Sequence, residues 1–142
     1  MIRTVLLTVM SMAIAAHADF SGTWELKSGT KAGGVSVSVP AAITLTLQAS
    51  DSGYHANFHA SNHMGGGMQM INEISDNEAT IQFSPMTSTR MMPPPSFQDV
   101  ESFITQTIPT MTRAFIDDQG ELKMEGPLNV EAAFARTEDQ DE

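Results

Sequence analysis

The first signal in the chain is alternation of apolar and polar positions. Phe20, Trp24 and Leu26 fall to one side of the segment Phe20–Lys27. From Ala42 to Gln48 the pattern is strict, with Ile43, Leu45 and Leu47 against Thr44, Thr46 and Gln48. After Asp51-Ser52-Gly53, Tyr54, Ala56, Phe58 and Ala60 alternate with His55, Asn57 and His59. A period of two with a short polar turn predicts a β-hairpin. Met68–Ile74 and Ala79–Phe83 predict a second hairpin across Ser75-Asp76-Asn77. Further strands are expected at Thr112–Asp117, Glu121–Glu125 and Val130–Arg136, with a turn at Asp117-Asp118-Gln119-Gly120.

The period changes once. Pro93-Pro94-Pro95 holds the chain extended. Phe97, Val100, Phe103, Ile104, Thr107 and Ile108 then recur at three- and four-residue steps, which predicts a helix. Ser96 with Asp99 has the spacing of a capping box, and Pro109 is the expected stop. The expected architecture is α+β and mostly antiparallel β: a curled sheet or cracked small barrel wrapped on one late helix, which lets both apolar faces be buried.

The ends read differently. Arg3 precedes an apolar run from Val5 to Ala16, and Ala16-His17-Ala18 follows. That order is the pattern of a secretory signal peptide, and the run falls short of the ~20 residues that span a bilayer. Residues 1–18 are therefore expected to be a leader, 19–136 the domain and 137–142 an acidic tail. The expected location is the secretory pathway: extracellular, or periplasmic in a bacterium.

Composition narrows the function. The 142 residues suit one domain. Seven basic against seventeen acidic side chains leave a net charge of −10, which argues against nucleic acid as a partner. With no cysteine, disulfides and thiol chemistry are excluded. The chain has no nucleophile elbow, P-loop or dinucleotide-binding glycine pattern, and Gly65-Gly66-Gly67 lacks the lysine and helix of a phosphate cradle. A non-enzymatic module without cofactor is expected, as a monomer.

Two constellations stand out. His55, His59 and His63 are spaced by four, with Met64, Met68 and Met70 after them, a donor set that suits copper. Along a straight strand His55 and His59 are ~13 Å apart. Only His59, His63 and Met64 could meet, if the chain bends at Ser61-Asn62. The alternative is an exposed polar face followed by a loop. Methionine is also frequent, eleven in all, as flexible core filler or as an adaptable apolar surface for a lipid tail or a protein. The segment Arg90-Met91-Met92-Pro93 is the least core-like of these and is the candidate ligand or partner site. Here one methionine is expected to be buried against the helix, with Arg90 pinning the loop.

Gly22-Thr23-Trp24 resembles the first strand of lipocalins and fatty-acid-binding proteins, which implies a carrier of a small apolar ligand as an alternative. A longer stretch resembles the META domain family of bacterial envelope and trypanosomatid virulence-associated proteins. The matching residues are Gly22-Thr23-Trp24, the segment Thr87–Pro95, and Asp99-Val100-Glu101-Ser102-Phe103. The two family cysteine positions stand here as Ser61 and as Pro93 or its neighbour. The resemblance implies a compact sheet wrapped on a helix, no established catalysis, and a link to secretion, stress or virulence.

Overall fold

A computed structural model describes residues 19–89 and 91–137; residues 1–18, expected to be a leader, Arg90 and residues 138–142 lie outside the described residues. Among the described residues ten strands form: β1 (Gly22–Lys31), β2 (Val35–Ser36), β3 (Thr44–Ala49), β4 (Gly53–His59), β5 (His63–Ser75), β6 (Glu78–Phe83), β7 (Thr87–Ser88), β8 (Arg113–Ile116), β9 (Leu122–Glu125) and β10 (Glu131–Arg136). The helix α1 spans Pro95–Ser102.

The sheet is neither open nor cracked. Hydrogen-bonded neighbours run β10-β9-β8-β6-β5-β4-β3-β1, and β10 pairs back onto β1. Eight strands thus form a closed antiparallel barrel, with β2 and β7 as two-residue additions on β1 and β5. β1 makes the closure, pairing with β3 on one side and β10 on the other, so that Trp24 faces both Leu45 and Arg136. Closing the sheet removes both unpaired edges of the central strands.

Alternation does what it predicts. Leu45, Leu47, Tyr54, Ala56 and Phe58 point inward, while His55, Asn57 and His59 stay outside. An eight-stranded barrel is narrow enough for side chains to fill, and Trp24, Phe58, Met64, Met68, Met124 and Phe134 occupy this one, each almost fully buried. At the end where the described chain starts, Phe20 closes the barrel. Its N–H donates to Tyr54 Oη at 2.9 Å, and its carbonyl accepts from Trp24 Nε1 at 2.9 Å.

The opposite end is closed by the helix. Val100, Phe103, Ile104 and Ile108 are fully buried there. Phe103 lies against β1 at Gly29, where an added Cβ would stand 2.7 Å from the ring. The helical path differs from the expected one. Regular α-helix ends at Ser102, a π turn follows over Phe103–Thr107, and a 3-10 turn over Ile108–Thr110 contains Pro109. Proline lacks the N–H that would bond four residues back. The chain changes register before it, with Ile108 N–H donating to Phe103 O. Ser96 does not cap the helix either. Pro94 is the capping residue, and no side chain bonds the first turn. Asp99 turns away to pair with Lys31 Nζ and to accept from Ser38 N at 3.0 Å, tying α1 to the end of β1.

Gly65-Gly66-Gly67 lies within β5 rather than in a loop. Side chains there would crowd the returning chain: a Cβ on Gly66 would meet Pro85 O at 3.1 Å, and one on Gly67 would meet Ser84 Oγ at 3.2 Å. Their absence lets residues 84–88 lie on β5, fastened by Ser84 N to Gly67 O at 2.9 Å and by the β5–β7 bridge. This path delivers the chain to the mouth that α1 covers.

Candidate functional site

The strap between β7 and α1, described at residues 89 and 91–94, crosses this mouth, and the β4–β5 turn holds it in place. The turn is three residues long, because His59 pairs with His63. It directs Asn62 inward against the strap and the helix, where it is almost fully buried. All of the Asn62 amide is used. Nδ2 donates to Met91 O and to Glu101 Oε1, both at 2.8 Å. Oδ1 accepts from Met91 N at 3.1 Å and from Thr89 Oγ1 at 2.7 Å. The side-chain amide thus pairs with the backbone of Met91 as a neighbouring strand would.

Glu101, on the first buried turn of α1, completes the clamp. Its Oε2 accepts from Ser61 N at 2.8 Å, from Asn62 N at 2.9 Å and from the Ser61 hydroxyl. Burial works to raise the Glu101 carboxyl. The hydrogen bonds from Ser61 and Asn62 outweigh it and hold the group below the ordinary glutamate value. Such a carboxylate is satisfied and has little capacity left to take a proton from a substrate.

Above the clamp lies an open cleft of about 690 Å³, bordered by Thr89, Met91, Met92, Pro93 and the helix residues Gln98 and Thr105. Met91 is 62% exposed and Met92 85%. The expectation that one methionine packs against the helix is therefore corrected. Asn62 captures the backbone of Met91, and Val100, Phe103 and Ile104 already fill the space beneath. Pro93 is half-buried. Arg90, expected to pin this loop, lies outside the described residues.

The candidate metal residues do not converge. His59 and His63 do meet, their rings stacked at 4.2 Å and nearly parallel on the outer surface. Met64 follows His63 in the same strand, so it points to the opposite face and is buried inside the barrel. Among the described residues, no group of three or more His, Asp or Glu is placed to hold a metal ion. Among the same residues, no helix is long and apolar enough to cross a membrane.

The Asn62–Glu101 clamp is what reading the sequence alone missed. The signal was an acidic residue amid the apolar helix spacing, at a position that an amphipathic helix turns inward.

The family model of the META domain matches residues 18–139. The chain belongs to the META domain family. An NMR structure of a protein from Burkholderia xenovorans is similar over 83% of each chain, with a TM-score of 0.60 and 20% sequence identity. At that identity the likeness concerns the fold. No curated protein matches the sequence.

Proposed function

We propose that this META domain is an exported, non-enzymatic interaction module that docks a protein partner on the Met91-Met92-Pro93 strap. The observation that carries this reading is the pair of methionines held in solvent on a backbone clamped by Asn62. Exposed apolar side chains on a fixed frame are what a recognition surface offers: contact area with little ordering cost. The net charge of −10 favours a partner whose apolar anchors are flanked by Lys or Arg. A filled barrel interior supports a surface site over an enclosed pocket for a small apolar ligand. The saturated Glu101 carboxylate supports a binding role over acid–base catalysis. The leader pattern and the family resemblance extend the reading to an exported protein with a part in secretion, stress or virulence.

The experiment is a photo-crosslinking residue placed at Met92 in the full chain, expressed in its own host, with the same residue at Ile71 as a control. A discrete adduct at position 92, weakened by added salt and lost in the Met91→Ser variant, is the expected result. Adducts only at position 71 would refute the docking site. Edman sequencing of the exported chain should begin at Asp19, and a form retaining Met1 would refute export through this leader.

A further inference from the structure

The eight methionines after residue 18 fall into three environments. Met64, Met68, Met111 and Met124 are at most 1% exposed. Met70 and Met86 are half-buried against the core. Only Met91 and Met92 stand largely in solvent. From this division we infer that Met91-Met92 is a selective thioether modification site for peroxide-class oxidants, one that takes up oxygen without disturbing the fold. In the reaction a sulfur lone pair attacks one peroxide oxygen and the O–O bond breaks. The sulfur gains that oxygen as a sulfoxide and is oxidised by two electrons; the peroxide is reduced, leaving as water when it is hydrogen peroxide. No thiol in the chain competes, because there is no cysteine.

The geometry makes the change tolerable at these two positions and not elsewhere. The Met91 backbone is held by hydrogen bonds from and to Asn62, which do not involve the sulfur. Pro93 and Pro94 then keep the chain extended up to α1, and neither methionine side chain has much packing to lose. A sulfoxide there is hydrated. Inside the barrel, a sulfoxide on Met68 or Met124 would bury a polar oxygen among Trp24, Phe58 and Phe134 and would require local opening before it could form. The strap thus becomes polar on oxidation while the frame under it stays as it was.

The test exposes the purified protein to hydrogen peroxide and follows oxygen uptake residue by residue by peptide mass spectrometry, with thermal unfolding measured on the same samples. Met91 and Met92 should oxidise at least about tenfold faster than Met64, Met68, Met111 and Met124. The midpoint should be unchanged when only the pair has reacted, and methionine sulfoxide reductases of both stereospecificities should reverse the mass gain. Uniform rates, or a midpoint that falls in step with the first oxygen taken up, would overturn the inference. The Met91→Leu/Met92→Leu variant provides the second arm. It should fold normally and lose the fast phase; a fast phase that survives would assign the reactive sulfurs to Met70 or Met86 and overturn the inference equally.

Discussion

Two residues show how a side chain's environment, rather than its type, sets its contribution. Met92 is apolar yet exposed, so Met92→Ala should shift the urea midpoint by well under the equivalent of 1 kcal/mol. Phe103→Ala, which empties the space beneath α1, should cost roughly 3–5 kcal/mol. Leu128 is a different case. It lies in the turn between β9 and β10 with φ 64° and ψ 27°, followed by Asn129 at φ 65°. Left-handed backbone disfavours a leucine by about 1–2 kcal/mol, and this side chain is 72% exposed, so it recovers little by burial. Leu128→Asn should therefore raise stability by about 1 kcal/mol, read as a higher urea midpoint with an unchanged slope. A lower midpoint would mean that Leu128 makes contacts worth more than its strain.

For the elements, the central relation is between α1 and the mouth it covers. The helix is anchored on one side by Asp99 to Lys31 and Ser38, on the other by Glu101 to Ser61 and Asn62, with Phe103 pressed onto Gly29 between them. The aromatic contact leaves no room for a methyl group. Gly29→Ala should cost about 1–3 kcal/mol through overpacking, and Phe103→Leu in the same chain should recover part of that loss. Additive losses would show that the two residues do not press on each other. The clamp predicts a separate effect on the strap. Asn62→Ala removes the pairing of Met91 and leaves Glu101 short of one donor, at a cost of about 1–3 kcal/mol. Amide exchange at Met91 should speed up far more than exchange in β3 or β4.

On the scale of the whole molecule, Glu101 ties stability to pH. Its carboxyl lies below the ordinary value in the folded chain, so folding favours the ionised form. The stability it carries is fully present above the ordinary glutamate range near pH 4.3 and is lost as pH falls through the lower folded value. Asp99, held below its ordinary value by Lys31 and Ser38, acts in the same direction. Urea midpoints measured from neutral to acid pH should fall steeply for the parent chain. Glu101→Gln should be less stable at neutral pH by about 1–3 kcal/mol and show a shallower acid limb. An equally steep limb in the variant would place the acid sensitivity elsewhere.

Much of the barrel was written in local pattern. The alternation in β3 and β4 needs only near neighbours to bury one face, and the recurrence of Val100, Phe103, Ile104 and Ile108 marks the buried side of the helix for the same reason. The family resemblance rested on short motifs and held over residues 18–139. What the tertiary structure alone decided depends on partners far apart in sequence. Barrel closure needs β1 to meet β10, with Trp24 opposite Arg136, and no periodicity in either segment specifies that pairing. Ser96 and Asp99 have the spacing of a cap, yet Lys31 and Ser38 draw the carboxylate away. Met91 and Met92 have the composition of core, yet Asn62 holds the strap by its backbone and the space beneath is already full. An apolar side chain is buried only where the assembled fold leaves it a place, and that is settled when distant elements meet.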